Sequence, residues 1–205
     1  TFDPRLLSEA ILLEQYLTEH FHDRVRGGYY STSDTSDPLI VRTREIYDGA
    51  TPSANSVMLE NLIRLGHLTG NVEYTEQASA LAEVFYRIAE ESPYACSAYL
   101  CGLDSLFGPA TCIIIAGNDG SQDMKEMIRQ IWQRYLPSVN LVVRTPETVS
   151  GGLDGLVPFS RTMTSRDGKA TTYVCHGTTC SEPVTTVEDL IEQLAGEKQS
   201  GIRDS

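Results

Sequence analysis

Two short stretches of this sequence hold residue types that can do chemistry. The first, TTYVCHGTTCSEPV, sets Cys175, His176 and Cys180 close together just after a strand-like run. The second, RTREIYDGATPSANS, gathers Arg42, Arg44, Glu45 and Asp48 between a strand-like run and a helix start, with Ser53, Asn55 and Ser56 following. A structural zinc site needs four ligands in a tetrahedral arrangement, and Cys175, His176 and Cys180 offer three. Cys96 and Cys101 repeat the spacing, but in a predicted helix their side chains point about 140° apart and cannot face a common ion. No metal site is expected. A redox dithiol usually has two intervening residues, a helix N-terminus and a lowered pKa; four residues after a strand make a turn instead. The expected role is structural, a turn whose thiols pack or bridge in a disulfide.

The second stretch is the better candidate for a ligand site. A helix N-terminus presents free N–H groups and the positive end of its dipole, and both attract polar ligands. A structural reading competes with this one. Asp48 can fix the turn before Thr51, and Asn55 and Ser56 can bond backbone carbonyls. Elsewhere, AGNDGSQD follows a strand and opens a helix, yet it lacks the G-x-G-x-x-G spacing, and Asp119 and Asp123 repel phosphate. No cofactor is expected. The positions of His20, His22 and His67 match no catalytic spacing in the sequence, and these residues are expected on the surface or in packing. No Ser-His-Asp pattern or nucleophile elbow is present.

Several elements must position these residues. Leu6, Leu7, Ala10, Leu13, Leu17 and Phe21 recur at three- and four-residue steps and predict a first helix, broken by Gly27-Gly28. Tyr29-Tyr30 and LIVR flank a polar loop and predict a β-hairpin. Thr51 as cap and Pro52 at the first helical position predict a second helix, apolar on more than one face through Leu68. A third helix follows Gly70-Asn71 and stops at Ser92-Pro93, and a short fourth runs from about Tyr94 to Phe107. From Gly108-Pro109 the character changes. TCIIIAG predicts a strand buried on both faces, Met124 to Tyr135 an amphipathic helix ended by Pro137, and NLVV a second strand. That is a strand-helix-strand unit with parallel strands. Thr171–Cys175 predicts a third strand, and Thr185 with Glu188 a capping box for a last helix. The expected fold is mainly α, with helices in residues 1–107, a small parallel three-stranded α/β unit in 108–196 and a disordered tail in 197–205.

The 205 residues suffice for one good core or two small ones. Apolar residues make up 40% and charged residues 21%, as in ordinary globular proteins. A net charge of −12 leaves no basic surface for nucleic acid or an anionic membrane. No apolar run approaches the ~20 residues that span a bilayer. The start TFDPRLLSEA shows no secretory signal and no initiator Met, which suggests a trimmed piece of a longer chain. Five cysteines are too few and too odd for a disulfide scaffold, so a cytoplasmic location is expected.

Three blocks, in order, resemble a known family. GGYYSTSDTSDPLIVRTREIYDGATPSANSVMLENLIRLGHLTG, then CIIIAG with YLPSVNLVV, then ATTYVCHGTTCSEPV are similar to the C-terminal region of the thioredoxin-domain-containing, spermatogenesis-associated thioredoxin-like proteins. The resemblance covers nearly the whole chain. It implies an α/α toroid related to sugar epimerases and six-hairpin glycosidases, of which these residues supply about two hairpins. It also implies an upstream thioredoxin-like domain with a Cys-His-Trp-Cys motif; Trp132 is the sole tryptophan here and stands outside any such motif. In toroid enzymes the loops at one end form the sugar pocket. By that resemblance Glu45 and Asp48 are the candidate acid/base pair, with Arg42, Ser53 and Asn55 contacting substrate. Two roles follow. One is a non-catalytic scaffold that completes the toroid and docks the upstream portion, its exposed helix faces open to a second copy. The alternative is a carbohydrate-active or sugar-binding domain centred on Glu45 and Asp48.

Overall fold

The computed structural model describes residues 2–37 and 40–200. The protein is mainly α with a small α/β part. It divides into two compact units, one of residues 6–108 and one of residues 109–200 together with residues 2–5.

The helical unit is built from α1 (Pro4–His20), α2 (Ala54–Thr69), α3 (Val72–Glu91) and α4 (Ser97–Phe107), with a 3₁₀ turn over Pro93–Ala95. The broad apolar surface of α2 has a direct cause: α2 packs against both α3 and α4. Met58, Leu59, Leu62, Ile63 and Leu65 are buried there against Ala78, Leu81, Phe85 and Tyr99, and Leu7, Ile11 and Leu17 of α1 close one side. Each fully buried side chain of this size contributes about 1.5–3 kcal/mol. Gly102 allows α4 to approach α2 closely, since a Cβ there would lie 2.8 Å from Leu59 Cδ2. The α2 cap is Ser53, whose side chain accepts from Ser56 N–H, and not Thr51. At the other end Gly70 takes the left-handed conformation that closes the helix.

The expected hairpin does not form among the described residues; Leu39, within its second flank, lies outside them. Asn55 takes up the main chain of Tyr29, accepting from its N–H at 2.7 Å and donating to its carbonyl at 3.0 Å. Tyr30 N–H donates to Phe21 O. With those groups used, one backbone bond joins the two sides among the described residues, from Ser31 N–H to Thr43 O at 2.9 Å.

The α/β unit contains β1 (Thr111–Ala116), α5 (Gln122–Trp132), β2 (Val139–Arg144), α6 (Pro146–Ser150), α7 (Leu153–Leu156), a 3₁₀ turn (Pro158–Thr162), β3 (Thr171–His176), β4 (Thr179–Cys180) and α8 (Val187–Ser200). The sheet order is β2-β1-β3-β4. β1 and β2 are parallel, as expected of a strand-helix-strand unit. β3 is antiparallel to β1, so the sheet is mixed with four strands and not a parallel three-stranded one. The reason lies in the return path. After β2 the chain stays at the carboxyl edge of the sheet, and a turn with Asp167 and Gly168 at positive φ delivers Thr171 opposite Ala116. An Asp-Gly pair of this kind reverses a chain tightly.

Ile113, Ile115 and Val174 face Met124, Met127 and Ile131 of α5 and Leu190 and Leu194 of α8. On the opposite face the Tyr173 hydroxyl donates to Thr164 O at 2.7 Å and ties down the stretch after the 3₁₀ turn. Helix α5 ends at Trp132, short of Pro137. The last helix is capped one residue later than expected, with Thr186 Oγ1 accepting from Asp189 N–H at 3.2 Å in place of Thr185 and Glu188. That helix runs to Ser200 and takes in residues 197–200, expected to be a disordered tail; residues 201–205 lie outside the described ones. Among the described residues no helix is long and apolar enough to cross a membrane.

Candidate functional site

The stretch from Arg42 to Ser56 winds from an irregular segment into α2, and the backbone takes up most of its polar side chains. Arg42 stacks over the Tyr30 ring with its guanidinium carbon 4.1 Å from the centroid. Its nitrogens donate to Thr32 O at 2.5 Å and His20 O at 3.1 Å. Arg44 donates to Gly27 O and lies 3.7 Å from Asp23 Oδ2. The Asp23 carboxyl is lowered to about 2, first by the Arg26 N–H it accepts and then by the Tyr30 hydroxyl.

Asp48 is 9% exposed and has both oxygens occupied. Oδ1 accepts from Ser53 N–H at 2.7 Å, and Oδ2 accepts from Ala98 N–H at 2.8 Å and Tyr99 N–H at 3.0 Å. Cys96, at the start of α4, gives that helix no side-chain cap. Asp48 therefore serves as a cap delivered from about fifty residues upstream, and its charge sits at the favourable end of the helix dipole. Burial and the Asp48 charge together push the Cys96 thiol up. Asn55, 1% exposed, also donates to Glu45 O at 2.7 Å, so one side chain holds the main chain at both Tyr29 and Glu45. Ser53 is spent on capping α2. The Glu45 side chain is exposed. Of the five residues picked from the sequence, Asp48 and Ser53 thus meet at the buried junction of α2 and α4, Asn55 holds the main chain of Tyr29 and Glu45, Arg42 bonds to Thr32 and His20, and Glu45 is exposed. Only the structure brings in Ala98 and Tyr99, because backbone N–H groups leave no mark in residue type.

Two other places concentrate chemistry, both in the α/β unit. A cleft of about 760 Å³ opens at the carboxyl ends of β1 and β2. Met124, Ile128 and Val143 line it together with Lys125 and Glu147. Carboxyl ends of parallel strands are where open α/β sheets hold ligands. The loop AGNDGSQD borders this cleft, but its acids are engaged by the main chain. Asp119 accepts from Glu147 N–H at 3.3 Å, and Asp123 accepts from Ala170 N–H at 2.7 Å, which is the main cause that lowers its carboxyl.

The second place is the cysteine turn. Cys175 and Cys180 face each other across β3 and β4 and form a disulfide. Their Cα atoms are 3.9 Å apart. Ser181 N–H donates to Val174 O, so the pair is of the close, non-hydrogen-bonded kind. Both thiols are thereby withdrawn from metal ligation. His176 Nδ1 lies 3.0 Å from the Thr111 hydroxyl across β1 and β3.

No family model matches the chain. It is similar to spermatogenesis-associated protein 20 of Homo sapiens, 29% identical over 189 residues, which is 92% of this chain and 24% of that protein. The protein of the same name from Rattus norvegicus is 28% identical over the same shares. An uncharacterised Caenorhabditis elegans protein is 26% identical over 91% of this chain and 25% of its own length. The chain spans about a quarter of the length of the curated relatives it matches.

Proposed function

We propose that these residues act as a non-catalytic scaffold segment of a longer protein. In this reading the helices complete an α/α toroid, and the upstream thioredoxin-like portion docks against them in a cytoplasmic setting. One observation carries the scaffold role: both oxygens of Asp48 are consumed by three backbone N–H groups of the same unit. A general acid or base must exchange a proton with a substrate within hydrogen-bond reach, and a carboxylate that caps a helix gives up that freedom. Asn55 and Ser53 are spent in the same way. The exposed Leu12, Leu13 and Tyr16 of α1 suit burial against the remainder of the longer protein or against a second copy.

The alternative, a sugar site at Glu45 and Asp48, is separated from this reading by one experiment. The chain and its Glu45→Gln and Asp48→Asn variants are melted with and without monosaccharides, sugar acids and disaccharides. The scaffold reading expects Asp48→Asn to melt lower, Glu45→Gln to melt with the parent, and no sugar to shift any of them. A sugar that stabilises the parent but not the Glu45→Gln variant overturns it.

A further inference from the structure

We propose that the Cys175–Cys180 disulfide is a reversible thiol-exchange site, in which Cys180 is the sulfur attacked by an incoming low-molecular-weight thiol and Cys175 is the resolving thiol. The two sulfurs are placed unequally. Cys175 is 3% exposed within β3, whereas both residues of β4, Cys180 included, are exposed. The turn between them is uncovered, since a Cβ on Gly177 would meet nothing within 4 Å. A nucleophile must approach along the S–S axis, and the open approach is from the Cys180 side. β4 has two residues and pairs with β3 alone, so this end of the sheet can adjust while β3 stays paired along its length with β1.

A third cysteine defines the site further. Cys112 of β1 is in register with Cys175, so Cys112, Cys175 and Cys180 form a row across three neighbouring strands on one face of the sheet. Burial pushes the Cys112 thiol up to about 12, which keeps it protonated at neutral pH and out of competition as an attacking thiolate. It is also two strands from Cys180, about 10 Å away, whereas bridged Cβ atoms are about 4 Å apart. A mixed disulfide at Cys180 can therefore be resolved within the sheet by Cys175 and not by Cys112.

The exchange balances without an added oxidant. A thiolate RS⁻ attacks Cys180 Sγ and forms an R–S–S–Cys180 bond. The Cys175–Cys180 bond breaks, and its electron pair leaves on Cys175 Sγ, which takes up a proton. In the reverse step Cys175 loses that proton, attacks Cys180 Sγ and expels RS⁻. A dithiol reagent completes reduction by a second attack on its own mixed disulfide.

The test uses the whole chain in a Cys101→Ser background, because Cys101 is an exposed free thiol that would react by itself. First, dithiothreitol is added in native buffer and the rate of disulfide loss is compared with that in denaturant. The expected native rate is within roughly tenfold of the unfolded one; a larger depression means the bond opens only on unfolding and overturns the proposal. Second, oxidised glutathione is added to reduced Cys175→Ser and Cys180→Ser chains, and adducts are mapped by peptide mass. Cys175→Ser should keep a glutathionyl group on Cys180. Cys180→Ser should carry one on Cys175 at least about tenfold less. Equal adduct yields at the two positions overturn the assignment of roles. The first measurement involves neither sulfur substitution, so it stands even where a variant folds poorly.

Discussion

Replacing Asp48 by Ala should detach α4 from the turn that leads into α2, and the structure sets the size of the effect. Three N–H groups, of Ser53, Ala98 and Tyr99, lose their acceptor. A hydrogen bond to a charged group contributes about 1.5–3 kcal/mol, but water can reach part of a helix N-terminus, where loss of one cap costs about 0.5–2 kcal/mol. Counting one cap and one loop bond to a charged group gives a loss of about 2–5 kcal/mol. For a chain of this length that lowers the Tm by roughly 4–20 °C. Because the two units can melt separately, a residue-level assay is the better one. Amide hydrogen exchange at Ala98 and Tyr99 should lose protection by roughly a hundredfold, while the amides of β1 are unchanged. Asp48→Asn keeps one acceptor oxygen but turns its NH₂ toward donor N–H groups, so it should lose about 2 kcal/mol. A loss below about 1 kcal/mol for Asp48→Ala, with protection at Ala98 and Tyr99 intact, would refute the capping role.

Other changes follow from the same contacts. Asn55→Asp replaces a buried donor by an oxygen facing the carbonyls of Tyr29 and Glu45; it should cost about 3 kcal/mol or more, read as a lower urea midpoint, and Asn55→Ala should cost less. Gly102→Ala forces a Cβ to within 2.8 Å of Leu59 Cδ2 and should destabilise the helical unit by about 1–3 kcal/mol in thermal melts. The Asp23 carboxyl falls from an ordinary 3.8 to about 2 on folding. A depressed folded pKa gives stability that is fully present above the unfolded value and is lost as pH falls toward the folded one. An acid titration of the parent should therefore show an added loss between about pH 4 and pH 2 that Asp23→Asn lacks.

Periodicity carried most of the helices. The Gly70-Asn71 and Ser92-Pro93 breaks around α3 and the apolar run of β1 are local signals, and the structure places those elements where the signals lie. Caps shifted by a residue or two because neighbouring Thr and Ser compete for one role, as Thr51 does with Ser53 and Thr185 with Thr186. The direction of β3 was hidden for a different reason. It depends on where the chain returns to the sheet, and the Asp167-Gly168 pair is the one local sign of it. Asp48 and Asn55 could be picked out as polar residues near a helix start, with the structural and ligand-binding readings both open. What separates the readings is a set of partners at Tyr29, Ala98 and Tyr99, distant in sequence and indifferent to side-chain type. The Cys112–Cys175 register is equally non-local.

The Asp48 clasp also has a kinetic meaning. Its bonds to Ala98 and Tyr99 close a loop of about fifty residues, and that loop holds the whole α2–α3 hairpin. Closing such a loop early costs entropy that no contact yet offsets. The hairpin, built from near neighbours, can assemble first and shorten the effective span. The carboxylate then acts as a latch set after the folding barrier is crossed. Its removal should quicken unfolding and leave the rate of folding nearly as it was, so the residue governs how long the helical unit stays shut more than how fast it forms.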